Sequence, residues 1–280
     1  MIKTICICGA GTMGSGIAQV AALNGLKTIQ FDINGTMLQT SRSAIEKNLQ
    51  AQVDKGRMEA LAKEETLSRI SFTNNINDCQ AEVIIEAIAE NIVAKVDLFK
   101  QLASINTSTA IFATNTSSLS VSSIAAQVIH PSRVVGMHFF NPAYLMKLVE
   151  VVKGEHTSAE VINSIVSLAK QLDKTPVLCK DAPGFIVNRV ARPYYLEAMK
   201  MVEEGWADPA TVDSVMEATG FKMGPFKLMD LIGMDINYSV SNIVYDALGK
   251  PERLKPSSLQ KQKVAAGELG RKTGKGFYQY

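Results

Sequence analysis

The chain has 280 residues, more than the usual ~100–200 of one domain, so either two domains or one elaborated domain is expected. Hydrophobic residues make up 46% and charged residues 20%, a composition that is typical of a folded globular protein and excludes extensive disorder. The formal net charge of +2 gives no reason to expect a nucleic-acid surface. No apolar run reaches the ~18–20 residues of a membrane span.

The four cysteines form neither a metal-binding pattern nor a disulfide pattern. Cys6 and Cys8 are two residues apart in a strand-like run and should point to one face, while Cys79 and Cys179 stand alone. The first residues lead into that run without a signal-peptide pattern. We therefore expect buried, reduced thiols, no metal site and a cytoplasmic location.

The first strand-like run, at residues 5–8, leads into a glycine-rich turn and then a helix-patterned segment at residues 13–23. The turn matches G-x-G-x-x-G with Gly9, Ala10, Gly11, Thr12, Met13 and Gly14. The first glycine makes the tight turn, the second lets a pyrophosphate approach the backbone, and the third allows close helix packing. The turn therefore predicts a dinucleotide site at the positive end of the helix.

An acidic residue ends the second strand-like run, at residues 27–32. Asp32 lies where a carboxylate can accept hydrogen bonds from the ribose hydroxyls of the adenosine. The same charge would repel a 2′-phosphate, unless a cation such as Lys27 compensates for it. Asp32 therefore favours NAD as the cofactor over NADP.

The next segment interrupts the alternation of strands and helices. A long polar helix is expected at residues 35–55 and a second at 58–64, which together form a helical insertion near 35–65. Alternation resumes with a helix at 92–102 and strand-like runs at 70–73, 82–88, 110–114, 133–137, 148–152 and 176–179. This order predicts an α/β fold with a Rossmann-type, doubly wound and mostly parallel sheet.

Strand patterning largely stops at the turn signal in residues 181–184. Helices are expected beyond it at residues 185–204, 209–219, 226–248 and 257–266, with a kink in the first at Pro193. We therefore expect a Rossmann-like domain at 1–182 and an all-helical domain at 183–280. The second domain is small and rich in apolar runs, so we expect a homodimer that forms through it.

Polar residues follow several predicted strands, at the edge where doubly wound sheets bind ligands. Asn115 follows one strand, His138 ends another, and Glu150 lies on the next, where a parallel or an antiparallel partner could place its carboxylate behind the imidazole. A neutral imidazole can take a hydroxyl proton during hydride transfer from an alcohol, while the acid fixes its tautomer. The other two histidines, His130 and His156, lie in predicted loops.

Together these motifs resemble the L-3-hydroxyacyl-CoA dehydrogenase family, most closely its short bacterial members that act on 3-hydroxybutyryl-CoA. The resemblance covers nearly the whole chain. It rests on GAGTMG at 9–14, NTSSL at 115–119, GMHFFNP at 136–142, KLVEV at 147–151, PGFIVNR at 183–189, MGPF at 223–226 and GKGFY at 274–278.

The resemblance implies NAD-dependent oxidation of (S)-3-hydroxybutyryl-CoA to acetoacetyl-CoA, and the reverse reduction, in butanoate and fatty-acid metabolism. It implies that His138 is the general base and that Glu150 orients it. Ser117 would hydrogen-bond the reacting oxygen or help to seat the thioester, and Asn188 would hold the substrate at the domain cleft. The implied NAD contacts besides the glycine turn and Asp32 come from Glu90, Lys95, Asn115, Ser117 and Asn141.

The resemblance also implies that coenzyme A contacts the polar insertion. Ser41 is the implied contact, and Lys47 is a possible substitute for a lysine of some relatives, which Asn48 replaces here. A simpler interpretation exists for Glu90 and Lys95. They could form an ion pair on a helix face, which would be poorly aligned because the two residues are five positions apart.

Three alternatives remain open from the sequence. The chain could act on longer 3-hydroxyacyl-CoA substrates or on another hydroxy acid with the same machinery. It could be a non-catalytic dinucleotide-binding structural protein, as crystallins are among the relatives of this family. It could also be a dinucleotide-binding redox sensor, although we find no DNA-reading helix-turn-helix pattern.

Overall fold

A computed structural model describes residues 2–280 and divides the chain into two compact units. The first unit extends to Asp181, and the second covers Ala182–Tyr280. No helix within the described residues is both long and apolar enough to cross a membrane.

The first unit contains one sheet, whose strands are β1 (Thr4–Cys8), β2 (Lys27–Phe31), β3 (Ile70–Thr73), β4 (Val83–Glu86), β5 (Ile111–Thr114), β6 (Val134–Phe139), β7 (Leu148–Lys153) and β8 (Thr175–Lys180). Their spatial order is β3-β2-β1-β4-β5-β6-β7-β8. Strands β1 to β6 pair in parallel, β7 is antiparallel to β6, and β8 is parallel to β7. The predicted doubly wound, mostly parallel sheet is confirmed, and its strand order reverses between β1 and β4, where such sheets bind ligands.

The helices of the first unit are α1 (Thr12–Leu23), α2 (Gly35–Asp54), α3 (Ala60–Ser68), α4 (Ile92–Ile105), α5 (Val121–Ala125) and α6 (Ala159–Gln171). Helices α2 and α3 form the predicted insertion. Helices α5 and α6 were not predicted from the sequence. Ser158 caps α6 by accepting a hydrogen bond from the Val161 amide, and Val161, Ile165 and Leu168 bury one face of the helix, so the helical period was present in the sequence.

The core of the first unit lies between the sheet and its helices. Ile5 and Ile7 of β1 belong to one buried cluster with Ile17 of α1 and Ile165 of α6. The alternate residues Cys6 and Cys8 are also buried, and their sulfur atoms lie 3.8 Å apart, as expected of side chains on one face of a strand. All four cysteines are free thiols in buried positions.

The second unit is helical, with α7 (Val187–Glu203), α8 (Pro209–Ala218), α9 (Pro225–Ile232), α10 (Met234–Ala247) and α11 (Ser258–Ala265). Its core includes Tyr195, Met199, Phe226 and Val244. The prediction of one helix over residues 226–248 was wrong. Gly233 separates α9 from α10 with a φ of 103°, a conformation outside the helical region that glycine adopts without steric cost.

Candidate active site

The glycine turn between β1 and α1 has the geometry that a dinucleotide requires. Gly9 has a φ of +110°, and a Cβ atom on Gly14 would lie 1.9 Å from the carbonyl oxygen of Gly9, so neither position tolerates a side chain without a shift. A Cβ atom on Gly11 would meet nothing within 4 Å, so the turn is open on that side. The turn is tight where it packs and open where a pyrophosphate would approach.

The first turn of α1 is also suited to an anion. Gly11 is its N-cap and supplies no side-chain hydrogen bond, and the first turn contains no acidic residue. Its amide groups and the positive end of the helix dipole can therefore interact with a pyrophosphate. These residues fit NAD.

Asp32 directly follows β2 and contacts the glycine turn. Its Oδ2 atom accepts a hydrogen bond of 2.8 Å from the Ala10 amide, and Oδ1 accepts one of 2.9 Å from the Asn34 amide. Each carboxylate oxygen has a second lone pair. Asp32 can therefore hold the turn in place and still accept hydrogen bonds from ribose hydroxyls.

His138 and Glu150 face each other across β6 and β7. The two residues are direct partners in the antiparallel register, and the structure thus realises the second of the two arrangements considered from sequence. His138 Nδ1 lies 2.8 Å from Glu150 Oε2, and the two residues are 6% and 1% exposed. The sheet therefore holds the carboxylate behind the imidazole.

The position of Glu150 determines the chemistry of the imidazole. Because a carboxylate only accepts hydrogen bonds, Nδ1 of the neutral ring bears the hydrogen and Nε2 is its basic atom. The ring of Phe140 lies beside the imidazole, with 4.5 Å between the ring centroids. The pair can take a proton at Nε2 and stabilise the resulting imidazolium.

Asn115 lies at the carboxyl end of β5 and connects it to β6. Its Oδ1 atom accepts a hydrogen bond of 2.8 Å from the Phe139 amide, next to His138. Ser117 follows two residues later, and its amide donates a hydrogen bond of 3.2 Å to Glu90. Both predicted residues therefore lie at the edge formed by the carboxyl ends of the parallel strands.

Glu90 and Lys95 form a close ion pair, contrary to the poor alignment considered from their spacing. Glu90 precedes Asn91, the N-cap of α4, so it lies in a loop, with its Oε2 atom 3.2 Å from Lys95 Nζ. Burial alone would raise the pKa of Glu90, but Lys95 and hydrogen bonds from Thr116 and Ser118 outweigh that effect and lower it. Glu90 is therefore a carboxylate at neutral pH.

Lys95 also pairs with Glu86, a residue that the sequence analysis did not single out. Lys95 is 1% exposed, and its Nζ atom lies 2.6 Å from Glu86 Oε1. The Thr114 hydroxyl donates a hydrogen bond of 2.6 Å to Glu86 Oε2, and the Ile88 amide donates one of 2.8 Å to Oε1. The sequence did contain a signal for Glu86. It is an acidic residue at the carboxyl end of a strand, β4, and Asp32 likewise directly follows β2.

A cavity of about 400 Å³ lies beside the glycine turn and includes Gly11, Ser41, Asn48 and Asn141 among its lining residues. Ser41 is 1% exposed, and its hydroxyl donates a hydrogen bond of 2.8 Å to buried Gln30. Lys47 is exposed on α2. Ser41 therefore lies at the wall of the cavity, and its hydroxyl hydrogen is already used in the hydrogen bond to Gln30.

Asn188, the remaining predicted site residue, belongs to the second unit. It lies in the first turn of α7 and is partly buried. Its carbonyl oxygen accepts a hydrogen bond of 3.2 Å from Arg192 Nε.

Family models and known proteins match nearly the whole chain. The family model of the 3-hydroxyacyl-CoA dehydrogenase NAD binding domain matches residues 4–182, and that of the C-terminal domain matches residues 184–280. The 3-hydroxyadipyl-CoA dehydrogenase of Escherichia coli is 43% identical over 281 residues, which cover 100% of this chain but only 59% of that protein. The probable 3-hydroxybutyryl-CoA dehydrogenase of Deinococcus radiodurans is 41% identical over 276 residues, which cover 98% of this chain and 99% of that protein.

A solved structure also matches this chain over its full length. The crystal structure of (S)-3-hydroxybutyryl-CoA dehydrogenase from Ralstonia eutropha matches with a TM-score of 0.95 and 38% identity, covering 100% of this chain and 99% of that chain. The chain belongs to the 3-hydroxyacyl-CoA dehydrogenase family.

Proposed function

We propose that this protein is an NAD-dependent dehydrogenase that interconverts (S)-3-hydroxybutyryl-CoA and acetoacetyl-CoA. The observation that carries the proposal is the buried His138–Glu150 pair, with 2.8 Å between Nδ1 and Oε2, on a sheet whose first turn fits a dinucleotide. Relatives of similar length are named for this substrate.

His138 moves the proton in both directions. In oxidation, its Nε2 atom takes the proton from the 3-hydroxyl group, and the negative charge of Glu150 stabilises the imidazolium. In reduction, the same imidazolium returns the proton to the oxygen at C3. When bound beside the glycine turn, NAD would supply the acceptor for the hydride from C3.

The other site residues bind and position the ligands. Ser117 hydrogen-bonds the reacting oxygen or seats the thioester, and Asn188 holds the substrate. NAD contacts the glycine turn and Asp32, and further contacts come from Glu90, Lys95, Asn115, Ser117 and Asn141. Ser41 and Lys47 contact coenzyme A, with Lys47 replacing the cation that Asn48 does not supply.

Replacing Asp32 with Ala should reduce the preference for NADH over NADPH. The variant loses the hydrogen bonds of a carboxylate to the ribose, which are worth roughly a tenfold or larger change in affinity, and it no longer repels a 2′-phosphate. The measurement is the ratio of kcat/KM for NADH to that for NADPH, with acetoacetyl-CoA saturating. Asp32→Asn controls for a change in the structure of the glycine turn. Its side-chain oxygen can still accept the hydrogen bond from Ala10, although the negative charge is lost. An unchanged ratio in Asp32→Ala would remove Asp32 from cofactor selection.

We also propose that the protein is a cytoplasmic homodimer that associates through its helical unit. That unit exposes several large apolar side chains, among them Val190, Phe221, Ile236 and Trp206, the last of which is 76% exposed. Association would remove this surface from water. Light scattering at assay concentration should give the mass of two chains, and a single-chain mass would contradict the proposal.

A substrate series tests the proposed reaction. Initial rates of NAD reduction are compared for 3-hydroxyacyl-CoA esters with four, six, eight and more acyl carbons, and for a free hydroxy acid as control. We expect a high kcat/KM for the four-carbon (S)-ester and no turnover of its (R)-enantiomer. A maximum at long chains would reassign the substrate, and NADH binding without turnover of any ester would favour a non-catalytic role.

A further inference from the structure

The helical unit contains a buried cation without an acidic partner. Arg192 of α7 is 3% exposed, and no carboxylate of the described residues lies within ion-pair distance of its guanidinium. Its hydrogen bonds go to neutral acceptors: the Asn188 carbonyl at 3.2 Å, the Asn237 carbonyl at 2.9 Å and the Ser241 hydroxyl at 3.1 Å. Burial lowers the pKa of Arg192 to about 10, so the group is still charged at neutral pH.

A second buried donor lies next to this cation. Asn237 is 1% exposed, and its Nδ2 atom has no hydrogen-bond partner within the described chain. The orientation of this amide follows from its neighbours: the Ser257 amide donates to Gln260 Oε1, so Gln260 Nε2 is the donor that faces Asn237 Oδ1, at 2.7 Å. Exchanging the oxygen and nitrogen of Asn237 would bring two donors together. The unpaired donor is therefore a property of the fold.

Arg192, Asn237, Ser241 and Gln260 form a donor-rich cluster with one positive charge. Ser241 Oγ accepts from Arg192 and Gln260 and donates its own hydrogen to the Asn237 carbonyl. Donors therefore exceed acceptors. The Arg192 guanidinium lies 4.9 Å from the centroid of the Tyr195 ring, which offsets part of the cost of its burial, but no anion of the described residues neutralises the charge. A carboxylate supplies both the negative charge and the acceptor atoms that the cluster lacks.

The cluster lies one helical turn from Asn188. Asn188 and Arg192 are four residues apart on α7, hence on the same face, and the Arg192 side chain reaches back to the Asn188 carbonyl. The inference rests on the proposed function, in which Asn188 holds the substrate. A six-carbon dicarboxylic acyl chain ends three bonds beyond C3, roughly 4–5 Å away, so a substrate held by Asn188 can bring its terminal carboxylate within reach of a guanidinium that contacts the same residue.

We propose that Arg192 determines specificity by binding the terminal carboxylate of a dicarboxylic 3-hydroxyacyl-CoA, such as 3-hydroxyadipyl-CoA. The substrate class of the enzyme then includes acyl chains that end in a carboxylate, in addition to the unbranched butyryl ester. One relative with 43% identity is named for this dicarboxylic substrate. Asn237 Nδ2 supplies an additional hydrogen bond to the same carboxylate.

The test compares 3-hydroxyadipyl-CoA with 3-hydroxyhexanoyl-CoA, which has the same chain length and a terminal methyl group. The unmodified enzyme should show a kcat/KM roughly 10- to 100-fold higher for the dicarboxylic ester, since a hydrogen bond to a charged group contributes that much. Arg192→Gln should abolish this preference and change the rate with the hexanoyl ester less than threefold. Lys200→Gln removes an exposed charge from the same helix and should leave the ratio unchanged.

Two results would overturn the proposal: equal or better turnover of the hexanoyl ester by the unmodified enzyme, or an equal loss with both esters in Arg192→Gln. If Arg192→Gln does not fold, the dissociation constants of adipyl-CoA and hexanoyl-CoA for the unmodified protein decide the question. Tighter binding of adipyl-CoA supports the proposal, and equal or weaker binding contradicts it. Because binding needs no turnover, this comparison stands even if the proposed dehydrogenase activity fails.

Discussion

Replacing His138 with Gln should lower kcat by roughly 10²- to 10⁴-fold, the usual contribution of a positioned general base. The glutamine side chain is similar in size but has no basic nitrogen, so the proton of the 3-hydroxyl group has no acceptor at this point. NADH binding should persist, because the glycine turn and Asp32 follow other strands, β1 and β2. The measurement combines initial rates at saturating substrate with a fluorescence titration of NADH.

Glu150→Gln is the matched comparison. It keeps the shape of the side chain opposite His138 but removes the charge that stabilises the imidazolium, so kcat should fall, with NADH binding again retained. Near-normal turnover in His138→Gln would refute its role as the base. If Glu150→Gln retains normal turnover while His138→Gln does not, Glu150 has only a structural role.

Replacing Lys95 with Met should lower the free energy of unfolding by about 3–5 kcal/mol. The substitution leaves the Glu86 carboxylate, which is 0% exposed, without the cation 2.6 Å from its Oε1 atom. Thr114 and Ile88 still donate hydrogen bonds to Glu86, but neither neutralises its charge. Chemical denaturation monitored by circular dichroism gives the unfolding free energy.

Two variants are the controls for this prediction. Lys147→Met removes a surface ion pair with Asp173, whose side chains are 63% and 74% exposed, and should change stability far less, because solvent screens the pair. Adding Glu86→Gln to Lys95→Met should restore part of the loss, because the buried charge is removed. A loss in Lys95→Met no larger than that in Lys147→Met would show that the buried pair does not stabilise the domain.

Much of the first unit could be predicted from the sequence because its signals are local. The glycine turn, the acid after β2 and the alternation of strands with helices are each contained in short segments, and together they predict the sheet. His138 and Glu150 were predicted as site residues for the same reason. Their pairing could not be derived, because the direction of β7 relative to β6 depends on the chain between them.

The features that the sequence analysis missed are of two kinds. Helix α6 and the acid Glu86 had local signals, a buried helical stripe with a serine cap and an acid at a strand end, that were not used. The division of α9 from α10 also had a local signal, Gly233, whereas the position of Ser41 against Gln30 depends on tertiary packing. The cluster around Arg192 joins residues 45 and 49 positions apart, which no periodicity reveals.

The proposed reaction is tested most directly by the initial rate of NADH oxidation with acetoacetyl-CoA, with NADPH measured in parallel. We expect rapid oxidation of NADH and slower oxidation of NADPH, because the buried His138–Glu150 pair can supply a proton and the Asp32 carboxylate beside the glycine turn would repel a 2′-phosphate. Folded protein that binds NADH but oxidises neither cofactor would contradict the claim that this chain is a 3-hydroxybutyryl-CoA dehydrogenase.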